Sequence, residues 1–154
     1  SEVPVSGYAL IADEPWFTLP IDQRASPDAV PFLRLGLADD DGDPVIIVDL
    51  IAFPARGEAS ETLPALITVE DNERGPRTPE KVELGEGAAA YRSIGAVPGP
   101  WEEDTAVPQF LCCHALRRGG IDVLARTWLG PDPRILTEVI TPLETMLASL
   151  QIDS

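Results

Sequence analysis

The chain is poor in the residues that enzymes most often use for chemistry. Its 154 residues include one histidine, His114, and two cysteines, Cys112 and Cys113. A two-histidine metal site is therefore impossible, and a serine or cysteine triad would need His114 as its base. Adjacent cysteines in a strand point to opposite faces, where a regular disulfide or a shared metal ion is geometrically difficult. We read both cysteines as small buried apolar residues and expect no metal site.

Long apolar runs and lysine are also scarce. No run is long enough to span a bilayer, and the N-terminus lacks the charged and apolar segments of a signal peptide. We therefore expect a soluble, cytoplasmic protein. Lysine occurs once, at Lys81, and asparagine once, at Asn72, whereas Ala, Pro, Gly, Arg, Asp and Glu are abundant. This bias is typical of a GC-rich bacterial genome, and a halophile would show it as well.

Basic residues are outnumbered by acidic ones. The chain has 26 acidic and 11 basic side chains and a formal charge of -15. A surface this negative repels nucleic-acid phosphates and anionic lipid headgroups, so we expect neither as a partner. Two explanations of the charge stay open, namely plain solubility and binding to a basic protein. With 44% hydrophobic residues the chain should fold, and its length indicates a single domain over residues 1–154.

The clearest structural pattern is a hairpin in the last third of the chain. Residues 107–117 (VPQFLCCHALR) are apolar on both faces of a strand, which is typical of the middle of a covered sheet. Gly119 and Gly120 then allow a tight turn into residues 121–128 (IDVLARTW), so the two strands should pair antiparallel.

An amphipathic helix should follow this hairpin. Asp132 can cap a helix whose first residue is Pro133. Its apolar stripe, at spacings of three and four, should cover one face of the sheet. The stripe consists of Ile135, Leu136, Val139, Ile140, Leu143, Met146, Leu147 and Leu150. Because residues 141–144 (TPLE) read as a capping box, we expect a kink or a restart at Pro142.

The rest of the chain adds shorter elements. Extended segments are predicted at residues 7–11, 16–20, 32–38, 45–53, 65–70 and 82–94. The third and fourth form a hairpin through Asp41-Gly42, and the last is broken at residues 85–87 (GEG). For residues 65–70 a short helix beginning at residues 61–63 is the alternative. The fold class is therefore α+β, an antiparallel β-sheet packed by helices, with the C-terminal helix on one sheet face.

Motifs that would bind a ligand fail on inspection. The acidic segment 39–43 (DDDGD) resembles a calcium loop, but its glycine in the sixth position puts Leu37 first and Val48 twelfth, where ligands are required. Residues 85–87 lack the third glycine of a dinucleotide loop, and we expect no cofactor. His114 has no acid at the matching spacing on its strand, so we interpret it as a core histidine.

Two tryptophans and an acidic cluster are the candidate binding residues. Trp16 and Trp101 lie beside prolines in predicted loops, and Glu102, Glu103 and Asp104 follow Trp101 directly. Exposed tryptophans can anchor a protein partner. Packing of the loops onto the sheet edge is the alternative for both tryptophans.

The order of elements resembles a known family. It runs from residues 16–20 (WFTLP) through a central strand near 65–69, residues 87–92 (GAAAYR) and the long hairpin to the segment 131–150. This order looks like small actinobacterial proteins of the PsbP-like α/β/α sandwich. The resemblance implies an antiparallel sheet between helical layers and a non-enzymatic binding or assembly module. The chain departs from the lipoprotein members in lacking a lipidation cysteine, and no N-terminal helix is predicted.

These observations favour a non-catalytic interaction module, such as an adaptor, a chaperone or an immunity-type protein. Its partner would be another bacterial protein with a basic surface, and a homodimer is compatible with the sequence. The alternative is a small-molecule-binding or hydrolytic domain with a pocket near His114 that also contains a loop carboxylate. A structural domain of a larger assembly is the third hypothesis.

Overall fold

A computed structural model describes residues 7–9, 16–19, 30–38, 44–71, 79–84, 89–97, 109–118, 120–129 and 133–153. They form nine strands and two helices in these ranges. In chain order the elements are β1 Gly7–Ala9, β2 Phe17–Thr18, β3 Val30–Ala38, β4 Pro44–Pro54, α1 Ala59–Asp71, β5 Glu80–Glu83, β6 Ala89–Val97, β7 Gln109–Arg118, β8 Ile121–Trp128, α2 Pro133–Ala148 and β9 Gln151–Asp153.

The main sheet is antiparallel throughout. Its seven strands lie in the order β2-β3-β4-β8-β7-β6-β5, and β1 pairs separately with β9. The predicted hairpin is confirmed, because β7 and β8 pair from Leu111 opposite Trp128 to Arg118 opposite Ile121. These two strands occupy the centre of the sheet, as the apolar character of both faces indicated.

A helix covers each face of the sheet. Cys112 and Leu116 of β7 pack with Leu143 and Leu147 of α2, which defines the α2 face. On the α1 face, Leu111, Cys113 and Ala115 of β7 pack with α1 residues such as Leu63. The α+β prediction and the position of the C-terminal helix are therefore confirmed. The second helical layer comes from α1, in the middle of the chain.

The prediction of a strand at residues 65–70 is wrong, and the helical alternative is correct. Residues 59–71 form α1, in which Leu63 and Ile67 are fully buried at a spacing of four residues. The helix begins after Glu58, whose carbonyl accepts a hydrogen bond from the Thr62 amide at 2.9 Å. The β-branched residues 67–69 favoured a strand locally, but burial of one helical stripe against the sheet outweighs that preference.

Two further predictions need correction. The strand over 82–94 is two strands, β5 and β6, which pair from Glu80 opposite Arg92 to Glu83 opposite Ala89. The restart expected at Pro142 is wrong, because α2 continues through this residue to Ala148, while the kink expected there stays a prediction. Pro142 is exposed, so its ring lies away from the core.

Several predicted features lie outside the described residues. They are the capping residue Asp132, the turn at Asp41-Gly42 with the acidic segment 39–43, the glycine segment 85–87, and the loop with Trp101, Glu102, Glu103 and Asp104. Within the described part of the chain, neither helix combines the length and the apolar character needed to cross a membrane.

Candidate functional site

His114 is the centre of a buried polar network beneath α2. It lies on β7 between Arg92 of β6 and Ala125 of β8, and it faces α2 together with Cys112. The side chain is fully buried. A polar group in this position needs hydrogen-bond partners, because burial without them costs about 1–3 kcal/mol.

The partner of His114 is a carboxylate from the helix. Nε2 of His114 lies 2.7 Å from Oε2 of Glu144, which projects from α2 onto the sheet. The same oxygen accepts a hydrogen bond from Nη1 of Arg92 at 2.7 Å. Arg92 also donates from Nε and Nη2 to Oε1 of Glu80, at 3.0 and 2.6 Å. One carboxylate thus joins α2 to β7 and β6, and Arg92 extends the link to β5.

Interactions within the network shift the pKa values of Glu144 and Arg92 in the directions that keep both side chains charged. Burial alone would raise the pKa of the Glu144 carboxyl, but hydrogen bonds and charges from His114 and Arg92 outweigh it and lower the pKa below the ordinary value. Burial alone would lower the pKa of Arg92, but Glu80 and Glu144 outweigh it and raise the pKa. Glu144 is therefore ionised and Arg92 charged at neutral pH.

The ionised carboxylate also fixes the role of one imidazole nitrogen. Because Glu144 only accepts, Nε2 of His114 carries a hydrogen and donates it. The Sγ atom of Cys112 lies 3.6 Å from the other ring nitrogen, Nδ1. Both nitrogens of His114 therefore have a partner.

A thiol, an imidazole and a carboxylate follow one another here as in a cysteine triad, in the residues Cys112, His114 and Glu144. The thiol lacks the environment that makes a triad cysteine reactive. Burial, followed by the neighbouring Cys113, raises the pKa of Cys112 far above its ordinary value, so the thiol stays protonated. Cys112 and His114 are both fully buried, and a substrate would need to displace α2 to reach them. A nucleophilic cysteine instead needs a lowered pKa and access to solvent.

A shallow groove lies beside this network. It has a volume of about 270 Å³, and it is lined by Glu83, Leu84, Thr141, Glu144, Thr145 and Ala148. Glu144 is the one residue that the groove lining shares with the hydrogen-bonded network. His114 is not part of the lining, so the carboxylate separates the imidazole from the groove.

Two further ion pairs fasten the sheet elsewhere. Arg34 of β3 binds Asp49 of β4 through Nε and Nη2, at 2.5 and 3.0 Å. Arg117 binds the fully buried Asp122 across the β7–β8 hairpin at 2.7 and 3.1 Å. Burial of these carboxylates is possible because each has a bidentate guanidinium partner. Their roles in the described structure are structural.

Of the binding residues predicted from the sequence, the structure describes Trp16. Its side chain is half buried and packs against the core, directly before the edge strand β2. There β2 lies close to β3, since a Cβ atom added at Gly36 would come within 2.8 Å of a Leu19 methyl carbon. Trp101, Glu102, Glu103 and Asp104 lie outside the described residues.

The sequence reasoning missed Glu144 and Arg92. An acid partner for His114 was sought on its own strand and in loops, whereas the structure supplies it from a helix 30 residues away. One signal was present, because Arg92 interrupts the inward face formed by Ala90 and Ile94. Within the ranges described above, no three His, Cys, Asp or Glu side chains are grouped so that they could hold a metal ion.

The fold is shared with solved bacterial structures. Neither a family model nor a curated protein matches the chain. LpqN of Mycobacterium tuberculosis, a protein involved in cell envelope biogenesis, is similar with a TM-score of 0.60 and 14% identity, over 99% of this chain and 87% of that one. A protein from Bacteroides thetaiotaomicron VPI-5482 is similar with a TM-score of 0.58 and 9% identity, over 99% of this chain.

The present chain spans 47% of the length of that Bacteroides protein. At these identities the likeness concerns the fold alone. The PsbP-like resemblance remains a prediction from the order of elements, while the likeness to solved structures establishes a known bacterial fold of α and β elements.

Proposed function

We propose that this protein is a non-catalytic interaction module of a GC-rich bacterium, an adaptor, chaperone-like or immunity-type protein that binds another bacterial protein. The observation that carries the proposal is the burial of its reactive groups. His114 and Cys112 are fully buried, and both ring nitrogens of His114 have partners. These side chains stabilise the contact between α2 and the sheet, and surface recognition is the role that we assign to the protein.

The charge of the chain supports a partner with a basic surface. A formal charge of -15 accelerates the encounter with a positively charged protein and repels nucleic acid. We propose Trp16, Trp101, Glu102, Glu103 and Asp104 as contact residues, with the tryptophans as anchors and the acids as the charged rim. The two free cysteines are consistent with the cytoplasm as the compartment.

The test is capture of the partner and reconstitution of the pair. The tagged chain is incubated with lysate of its own bacterium at about 0.05 M and about 0.5 M salt, and bound proteins are identified by mass spectrometry. The captured protein is then purified, and its affinity is measured by calorimetry. We expect one stoichiometric partner that binds more weakly at high salt, because exposed charges are screened there.

Variants locate the contact surface. The Trp101→Ala and Glu103→Lys substitutions should each weaken the reconstituted complex at least about tenfold, in line with the loss of an interface anchor. Glu61→Lys is the matched control, since it makes the same charge change at an exposed position on α1. Capture of no partner at either salt concentration contradicts the proposal.

The groove beside Glu144 supports a second candidate, a small-molecule-binding or hydrolytic domain. A groove of about 270 Å³ with two carboxylates, Glu83 and Glu144, and two threonines offers room for a small polar ligand. Ligand-observed NMR with a fragment library tests this candidate. Binding that is lost in Thr145→Val and kept in the control Thr137→Val would favour it over the interaction module.

A further inference from the structure

Strand β5 ends the seven-stranded sheet with an exposed edge. It pairs with β6 on one side and is the last strand in the order of the described sheet. Glu80, Lys81 and Glu83 are exposed, and Val82 is half buried. An edge of this kind presents backbone N–H and C=O groups to which another extended chain can pair.

The charges along β5 are complementary to a second copy of the same strand. Lys81 and Glu83 project from one side of the strand, and Val82 lies between them on the other side. When two copies pair antiparallel with Val82 opposite Val82, Lys81 of each copy lies opposite Glu83 of the other. Neither residue forms an ion pair with another of the described residues.

We propose that two copies of this chain associate through β5 in this register, which gives a two-fold symmetric dimer with a continuous sheet. Directly opposite residues have Cβ atoms about 4.5–5.5 Å apart, within reach of an ion pair between Lys81 and Glu83. The two neighbouring symmetric registers would place Lys81 opposite Lys81, or Glu83 opposite Glu83, and like charges directly opposite each other repel. The charge pattern therefore favours the register with Val82 opposite Val82.

A hydrogen bond and a buried leucine fix the position of β5, and a groove beside the strand can add to the contact surface. Arg92 of β6 anchors the start of the strand through Glu80, and Leu84 directly after the strand is buried in the core. The groove lined by Thr141, Thr145 and Ala148 of α2 adjoins the end of β5. A second copy would cover this groove in addition to the strand, which enlarges an interface that four residues alone would leave small.

The test is the mass of the untagged full chain by light scattering and sedimentation over a dilution series at about 0.15 M salt. We expect a reversible monomer–dimer equilibrium. Lys81→Glu and Glu83→Lys should each raise the dimer dissociation constant at least about tenfold, because each turns both cross-strand attractions into repulsions. The double variant K81E/E83K should restore it, since the ion pairs re-form with exchanged ends.

The net charges of the two single variants distinguish this specific pairing from a general effect of net charge on association. Lys81→Glu takes the formal charge from -15 to -17, and Glu83→Lys takes it to -13. If only overall repulsion mattered, Glu83→Lys would strengthen the dimer, as would the control Glu61→Lys on α1. Circular dichroism checks that every variant is folded.

Two results overturn the proposal. A monomer at every concentration would leave the β5 edge to a different chain or to none. A dimer that neither single variant weakens, or that the double variant does not restore, would place the contact elsewhere. The dimer does not depend on the proposed partner protein, because it is measured on the purified chain alone.

Discussion

Glu144 of α2 accepts a hydrogen bond from the fully buried His114 of β7 at 2.7 Å, and this contact joins the helix to the centre of the sheet. The same carboxylate oxygen binds Arg92. Removing the charge of Glu144 therefore disturbs two partners at once, and both belong to the sheet. The stability of the α2 layer should depend on this one side chain more than on any exposed acid of the helix.

We expect Glu144→Gln to lower the free energy of unfolding by ~1–3 kcal/mol, because His114 and Arg92 lose the ionised acceptor in a largely buried site. Urea unfolding followed by circular dichroism measures the change. Glu138→Gln is the matched control, since Glu138 is exposed on the same helix and loses the same charge. Its effect should stay within ~0.5 kcal/mol. Equal effects of the two substitutions would contradict a special role for Glu144.

The contribution of Glu144 to the free energy of unfolding should depend on pH. Its pKa is lower in the folded chain than its ordinary value of 4.5, so the folded state favours the ionised form. The resulting stability is present in full above the unfolded pKa and is lost as pH falls through the folded pKa. The stability difference between the wild type and Glu144→Gln should therefore shrink as pH falls from neutral through 4.5 and below.

Urea titrations at several pH values between about 7 and 3 measure this difference. Other carboxylates titrate in the same range, but they are common to both proteins and cancel in the comparison. A difference that stays constant over the whole range would argue against the ionised state of Glu144 in the network.

The two cysteines should be unreactive in the folded protein. Cys112 and Cys113 are fully buried, and burial raises the pKa of Cys112, so little thiolate is accessible to a reagent. A thiol-specific reagent should modify both cysteines quickly in urea and neither on the same timescale in buffer. Ser60→Cys, at an exposed position of α1, provides the control for a reactive surface thiol. Rapid native modification would mean that β7 opens readily to solvent.

The helical state of residues 59–71 makes a clear prediction for neighbouring positions. In α1, Leu63 and Ile67 are fully buried and Ala65 is exposed, whereas a strand would place all three side chains on one face. Leu63→Ala should cost ~2–5 kcal/mol of stability through the cavity that it leaves. Ala65→Lys should change stability by less than ~0.5 kcal/mol. A large loss from Ala65→Lys would favour the strand that the sequence suggested.

The central hairpin and α2 could be predicted from sequence patterns within each element. Apolar side chains lie on both faces of the strand at residues 109–118, and Gly119-Gly120 permits a tight connection to the next strand. The central hairpin could therefore be derived without any knowledge of its neighbours. Pro133 and the apolar stripe predicted α2 in the same way. In α1 the local signals conflicted. The β propensity of residues 67–69 favoured a strand. The helix forms because its apolar side chains are buried against a face of the central sheet.

The sequence by itself determined the fold class, the central hairpin, the C-terminal helix and the negative charge, because each follows from spacing or composition along the chain. The tertiary structure alone decided which acid meets His114 and which arginine meets that acid. Glu144 lies 30 residues from His114 and 52 from Arg92, and separations of this size leave no periodic trace in a single sequence. These partners are chosen when helix and sheet pack, because a buried imidazole must then find a hydrogen-bond partner inside the protein.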